Sequence, residues 1–183
     1  MDSPKDLDAF RNAIWQRLSR GVADRRAAAR NPVLSTVGLD GAAKARVVVL
    51  RGADPSGGRL EMHTDAESQK VAELAREPGA TALVWDARAK LQIRAEGALQ
   101  ARSGTEQEWD RVPAAARRVY GGTPHPGKAI AAPAAFAPSE VPARFCVLTL
   151  EIARLDVLWL GPELHYRAVF ERGDGWAGQW VAP

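Results

Sequence analysis

Apolar residues near the start of the chain recur every three or four positions, which predicts an amphipathic helix within residues 1–31. This stripe consists of Leu7, Phe10, Ile14, Leu18 and Val22. Beyond it, short apolar runs alternate with turn residues, the pattern typical of hairpin-linked strands. The predicted strands are residues 33–37, 45–51, 59–64, 81–85, 91–99, 144–152, 156–160, 165–170 and 176–181.

Turn residues and further helical periodicity predict how the strands are connected and where two more helices lie. Glycines at residues 38–41 and 57–58 indicate tight turns between strands. Two further helices are predicted, at 67–77 with Val71, Leu74 and Ala75 inward, and at 103–119 with Ser103 and Glu106 in capping-box spacing. We therefore expect a single domain over 1–183 that is mainly β with flanking helices, its antiparallel sheet closing into a barrel. Residues 121–142 are rich in proline and alanine and predict a mobile loop or an arm draped over the surface.

The composition is that of an ordinary globular protein, with 183 residues, 46% of them hydrophobic, and a formal net charge of +3. So small a surplus argues against a general nucleic-acid binder but is compatible with a local anion site. The one cysteine, Cys146, lies in an apolar run, so we expect a buried thiol and no intrachain disulfide. Because no stretch has the length and apolarity of a membrane span or signal peptide, we expect a cytoplasmic protein without membrane partners.

The segment with the clearest chemistry begins where the third predicted strand ends. Thr64 and Glu67 have capping-box spacing, which predicts the start of a helix. The first turn of a helix presents free N–H groups and a positive dipole end, and both favour phosphate. Thr64, Ser68 and Lys70 would surround that terminus, and an arginine from the preceding long strand would complete a phosphate site. The competing interpretation is an ordinary helix cap beside a solvated lysine.

Arg46 and Arg51 are the arginines of that long strand. They are an odd number of positions apart, so a regular strand directs their side chains to opposite faces. Both can bind one ligand only if the ligand runs along the strand edge or the strand bends. The three histidines are far apart and lack spaced carboxylate partners, so no metal site is predicted.

Several short motifs, in this order, resemble the FMN-binding pattern of the pyridoxamine 5'-phosphate oxidase family. They are Arg46-Val47-Val48-Val49-Leu50-Arg51, His63-Thr64, Ser68-Gln69-Lys70, residues 92–97, and a C-terminal set of Trp159, His165-Tyr166-Arg167 and residues 176–183. The resemblance spans residues 32–183. It implies an FMN-binding split β-barrel that forms a homodimer with its FMN sites at the subunit interface.

The resemblance also implies roles for individual residues. Arg46 and Lys70 would bind the FMN phosphate, helped by the hydroxyls of Thr64 and Ser68. The other implied cofactor-binding residues are Val47, Val48, Val49, Leu50, Arg51, His63, Gln69, Gln92, Trp159 and Arg167. Arg51 and His165 are the candidates for substrate binding, and no catalytic residue is assigned.

Departures from the family pattern bear on activity more than on the cofactor. Gln69 stands where the family has an arginine, which removes one positive charge from the phosphate site. Glu163 stands in place of the first arginine of the family's R-x-H-x-R strand, and its charge is expected to repel a phosphorylated substrate. The resemblance thus implies an FMN-dependent oxidoreductase of a divergent branch, acting on an unidentified small molecule.

The same residues are compatible with two alternative functions. The first is an FMN carrier or sensor without vitamin B6 oxidase activity. The second is a basic interaction module without a cofactor, which only the small excess of basic residues supports. Bound flavin in the purified protein distinguishes the second from the rest.

Overall fold

Antiparallel strand pairing organises the chain, which a computed structural model describes over residues 3–183. Nine strands form one sheet within that range, and four α-helices flank it. The strands are β1 (Val33–Val37), β2 (Ala43–Val47), β3 (Leu50–Asp54), β4 (Arg59–Asp65), β5 (Gly79–Asp86), β6 (Leu91–Ser103), β7 (Phe145–Leu160), β8 (His165–Glu171) and β9 (Gln179–Val181). The helices are α1 (Leu7–Ala23), α2 (Gln69–Arg76), α3 (Glu106–Arg111) and α4 (Ala114–Arg117). The predicted class, mainly β and antiparallel with flanking helices, is confirmed.

The sheet is built around β7, which has different neighbours along its two halves. Its first half pairs with β4 and its second half with β8, while β6 pairs along nearly its whole length. The strand order is β2-β1-β5-β6-β7-β4-β3, with β9 added outside β8. In the described part of the chain β2 and β3 do not pair with each other, so the sheet does not close into a continuous barrel as the hairpin pattern led us to expect.

The predicted division into strands is wrong at two places, and several other strand ends differ by a few residues, with β9 beginning at Gln179 and not at 176. The run 45–51 breaks at Val48 and Val49, because β2 pairs with β1 whereas β3 pairs with β4 on the far side of the sheet. At the break the Val48 N–H donates to the Pro32 carbonyl at 3.0 Å. Conversely, the predicted strands 144–152 and 156–160 are one strand, since β6 and β7 stay paired through a register shift between Glu96 and Gly97.

The main core lies between one face of the sheet and helix α1, and we call this the inner face. Phe10, Ile14 and Leu18 are fully buried there, as the helical stripe predicts, and Leu7 and Val22 are partly buried. Helix α1 ends at Ala23, earlier than the predicted segment 1–31 allows. A smaller apolar cluster covers the first half of β7 on the other face and consists of Trp109, Val112, Tyr120, Phe145 and Val147.

The predicted helices differ from the observed ones in their ends and faces. In α2, Leu74 is buried and Val71 partly buried as expected, but Ala75 is exposed and Glu73 is buried in its place. Helix α3 begins with a capping box between Thr105 and Glu108 instead of the predicted pair, because β6 continues through Ser103.

Pro113 divides the helical segment as predicted, and α4 follows it. The loop 121–142 is largely exposed, and its two ends are held by Asp65, which accepts from the Gly121 N–H at 2.9 Å and forms an ion pair with Arg144 at 2.8 Å. Within residues 3–183 no helix has both the length and the apolar character needed to cross a membrane.

Gly97 offers a direct test of the β6–β7 register. A Cβ atom at this position would lie 2.0 Å from the Glu151 carbonyl oxygen, so the strands must separate to accept it. We expect Gly97→Ala to lower the free energy of unfolding by about 1–3 kcal/mol in urea denaturation. Gly173→Ala is the control, because a Cβ atom there meets nothing within 4 Å. Equal stability of the two variants would contradict the register described for β6 and β7.

Candidate functional site

Three of the predicted phosphate ligands come together between the end of β4 and the start of α2. The Lys70 ammonium donates to the Thr64 hydroxyl at 2.9 Å, and the hydroxyls of Thr64 and Ser68 lie 3.0 Å apart. The predicted capping box of Thr64 and Glu67 is absent, because Thr64 is still part of β4 and Ser68 is the N-cap residue of α2. The Ser68 side chain does not cap the helix, since its hydroxyl is directed to Thr64 instead.

Arg46, on β2, lies close enough to Lys70 to lower the pKa of that ammonium group. Its Nη2 pairs with Glu73 Oε2 at 2.8 Å, and its Nη1 donates to the Thr36 hydroxyl and to the Leu34 carbonyl. The Thr36 hydroxyl in turn donates to the same Glu73 oxygen at 2.6 Å. Because Glu73 is only 2% exposed, this network links β1, β2 and α2 below the surface.

Lys70 is a half-buried cation in this site, and a second cation, Arg46, is nearby. Burial lowers the pKa of Lys70 and the nearby Arg46 lowers it further, whereas Glu73 and Asp65 act in the opposite direction. Within residues 3–183, Lys70 has no carboxylate at ion-pair distance. The site therefore holds an ammonium group whose charge an added anion would stabilise.

Arg51 lies apart from Arg46, on β3, because the strand breaks between them. Its Nε atom is buried and has no hydrogen-bond partner in the described part of the chain. Burial raises the pKa of Tyr120, and the neighbouring Arg51 guanidinium opposes that increase. Since an unpaired buried guanidinium N–H is costly, Arg51 is a second candidate for binding an anionic or carbonyl group.

A further group of predicted residues lies on the opposite, outer face of the sheet. Gln92 and Arg167 flank Leu158 in register across β6, β7 and β8, and His165 is exposed two residues before Arg167. Arg167 forms hydrogen bonds with both carboxylate oxygens of Asp156, at 3.0 and 2.9 Å. Those bonds, with Arg94 nearby, lower the pKa of Asp156, which is buried.

The structure does not bring every predicted residue to these places. His63 lies on the other face of β4 from Thr64, where its ring packs edge-on against Phe145 and its Nε2 is 3.0 Å from Glu61. Trp159 is buried on the inner face, and its indole N–H donates to the Ala89 carbonyl at 2.9 Å.

The remaining predicted residues are at the start of α2 and between β2 and β3. Gln69 is exposed as the first residue of α2. In the segment 47–50, Val47 is 66% exposed, Val48 and Val49 are half-buried, and Leu50 is fully buried.

Sequence reasoning missed three polar residues of these sites: Thr36, Glu73 and Asp156. Each is buried and bonded to a predicted arginine, Thr36 and Glu73 to Arg46 and Asp156 to Arg167. Glu73 had a usable signal, because it falls beside Leu74 on the inward face of an amphipathic helix. In the described residues no three His, Cys, Asp or Glu side chains gather as a metal site requires.

Comparisons with known proteins agree on the fold and the cofactor domain. A family profile described as "Pyridoxamine 5'-phosphate oxidase, FMN-binding domain" matches residues 9–103. A pyridoxine/pyridoxamine 5'-phosphate oxidase of Thermosynechococcus vestitus is 31% identical over 82% of this chain and 62% of its own length. One of Microcystis aeruginosa is 32% identical over 59% of this chain and 49% of its own length. The chain thus spans about half to three fifths of these curated relatives.

Solved structures extend the similarity to the whole chain. A pyridoxamine 5'-phosphate oxidase-related, FMN-binding protein of Nostoc punctiforme covers 100% of both chains at 27% identity with a TM-score of 0.78. PhzG of Burkholderia lata, solved with tetrahydrophenazine-1-carboxylic acid, covers 94% of this chain and 91% of its own at 20% identity with a TM-score of 0.73. At that identity the second match shows the fold alone.

Cys146 can report on access to the candidate phosphate site, because it pairs with Thr64 across β4 and β7 and is the single cysteine. The thiol is buried, and burial raises its pKa, so little thiolate is available. We expect native protein to react with iodoacetamide at pH 8 about a hundredfold more slowly than urea-unfolded protein. Labelling at the same rate in both states would show that the inner side of the site is open.

Proposed function

The chain belongs to the pyridoxamine 5'-phosphate oxidase FMN-binding family and its cofactor is FMN; from that premise we propose that it acts as an FMN-dependent oxidoreductase. The observation that carries the proposal is the phosphate site of Arg46, Lys70, Thr64 and Ser68. The ammonium and the two hydroxyls are in contact there, Arg46 lies close enough to lower the pKa of the ammonium, and the ammonium has no carboxylate partner among residues 3–183. This donor set fits a phosphate monoester.

When bound, FMN supplies two-electron redox chemistry, in which a substrate is oxidised and an acceptor is reduced. The protein's own residues would bind and orient the group. Arg46 and Lys70 would hold the phosphate, and the backbone of residues 47–50, of which Val47 is exposed, would run along the ring system. Gln69, where the family has an arginine, would contribute an amide in place of a charge.

We propose that two copies of the chain share each cofactor. Arg46 is on the inner face of the sheet, in register with the buried Leu34, whereas Gln92 and Arg167 are on the outer face. Within one copy, the sheet separates these two groups. A second copy that places its outer face against the first copy's site would bring both groups to one FMN.

The outer face has the properties of a surface that pairs with another copy. Val47 is 66% exposed, Trp85 49% and Val37 39%, and contact with another copy would bury these apolar side chains. Of these, Trp85 lies directly beside Gln92 across β5 and β6.

For the substrate, we propose an anionic or carbonyl-bearing small molecule that contacts Arg51. The buried, unpaired Nε of Arg51 supports this proposal, and the adjacent Tyr120 adds a hydroxyl. His165 would approach from the outer face of the second copy. Glu163, exposed just before β8, disfavours a phosphate group near His165.

The second candidate function is an FMN carrier or sensor without vitamin B6 oxidase activity. It is favoured by Glu163, whose charge opposes the phosphorylated substrate of the curated relatives. Both functions require the same phosphate site, and they differ only in whether the protein turns over a substrate.

Lys70 tests the phosphate assignment. We expect wild-type protein to bind FMN with quenching of the flavin fluorescence, and Lys70→Met to weaken binding about 10- to 100-fold, because one charge-assisted hydrogen bond is lost. Lys128→Met is the control, since Lys128 lies in the exposed loop. Equal affinities in both variants would place the phosphate elsewhere.

Glu163 tests the substrate argument. With FMN-loaded protein, we expect Glu163→Arg to raise kcat/KM for pyridoxamine phosphate about tenfold, measured as peroxide formation, because repulsion is replaced by attraction. Glu77→Arg makes the same charge change at an exposed helix end and should have no effect. No turnover in wild type or variant, with FMN bound, would favour the carrier function.

A further inference from the structure

A buried carboxylate, Glu73, lies within the proposed phosphate site. Its side chain is 2% exposed, and it stands one helical turn after Lys70 on α2. A negative charge close to a phosphate is unfavourable if charge alone decides the affinity. Its contacts indicate a different role, because they act on Arg46.

The hydrogen bonds of Arg46 show what Glu73 does. A guanidinium group has five N–H donors. Three of those of Arg46 are used: two on Nη1, to Thr36 and Leu34, and one on Nη2, to Glu73. Among residues 3–183, the Nε hydrogen and the second Nη2 hydrogen have no partner. Those two atoms form the side of the guanidinium that binds a carboxylate or phosphate in a bidentate manner.

Glu73 also compensates for repulsion between the two cations. Arg46 lowers the pKa of Lys70, and Glu73 opposes that effect. Removing the carboxylate would leave Arg46, which is 24% exposed, free to turn toward solvent and away from Lys70.

We propose that Glu73 is the positioning residue of the phosphate site: with Thr36 it holds one side of the Arg46 guanidinium so that the Nε and Nη2 side faces the FMN phosphate. This inference rests on the proposed phosphate site and adds to it the residue that aligns the site before FMN arrives. Glu73 itself does not contact the phosphate. Glu73 raises the affinity for FMN, because the gain from aligning Arg46 exceeds the repulsion between the Glu73 carboxylate and the phosphate.

The test is the isosteric change Glu73→Gln, measured by titration with FMN and, separately, with riboflavin, which lacks the phosphate. We expect FMN affinity to fall about tenfold, as for the loss of a well-aligned charged contact, and riboflavin affinity to stay unchanged. Glu77→Gln is the matched control at the exposed end of α2.

A double-mutant cycle separates positioning from general destabilisation. In an Arg46→Met background, Glu73→Gln should cause no further loss of FMN affinity, because there is no guanidinium left to align. Should Glu73→Gln fail to fold, Thr36→Val removes the second support of the same carboxylate. It should weaken FMN a fewfold and leave riboflavin unaffected.

Three results would overturn the proposal: tighter or unchanged FMN binding in Glu73→Gln, an equal loss for riboflavin, or the same loss in the Arg46→Met background. Tighter binding would mean that Glu73 acts only as an opposing charge. Failure of the wild type to bind FMN would overturn the phosphate site itself, so the two failures are distinguishable.

Discussion

The ion pair between Arg46 and the buried Glu73 is the constraint on which the candidate site depends. A carboxylate that is 2% exposed is tolerated only if it is paired and hydrogen-bonded, and Arg46 and Thr36 supply those partners. Because the three residues belong to α2, β2 and β1, the pair fixes the helix against the edge of the sheet. Lys70, one turn earlier on α2, is thereby brought beside Arg46. The positions of Arg46 and Lys70 therefore follow from the need to give the buried Glu73 carboxylate its ion-pair and hydrogen-bond partners.

A second buried carboxylate organises the outer face in a similar way. Asp156 is 1% exposed and accepts hydrogen bonds from Arg167 and Arg94. This keeps Arg167 in line with Gln92 across the strands, on the side of the sheet that Arg46 does not reach. The fold thus holds two groups of candidate ligands rigidly on two faces of one sheet. That separation is the physical reason for proposing a cofactor shared between two copies.

Features set by local sequence were predictable, and features set by distant contacts were not. The turn at residues 38–41 was found because glycine tolerates positive φ, which Gly41 adopts at 80°. The break at Val48 and Val49 was missed because both are good strand formers, and only the different partners of β2 and β3 separate them.

The same distinction applies to the site. The motif resemblance implies that Arg46 and Lys70 lie near one another, and Arg46 is close enough to lower the pKa of Lys70, although the two side chains bond to different partners. It said nothing of Glu73, because the need for a buried acid arises from the packing of α2 on β1. Trp159 and His63 stay predictions as cofactor residues. The sequence could not reveal that Trp159 is buried on the inner face, or that His63 lies on the other face of β4 from Thr64.

The most direct measurement is phosphorus NMR of FMN bound to the protein, recorded as a function of pH. A free phosphate monoester loses its second proton with a pKa of about 6, so its resonance moves between pH 5 and 8. Arg46 and Lys70 would stabilise the dianion, so we expect a bound resonance that is shifted and does not move over that range. A bound phosphate that titrates near pH 6, as free FMN does, would contradict the assignment of this site.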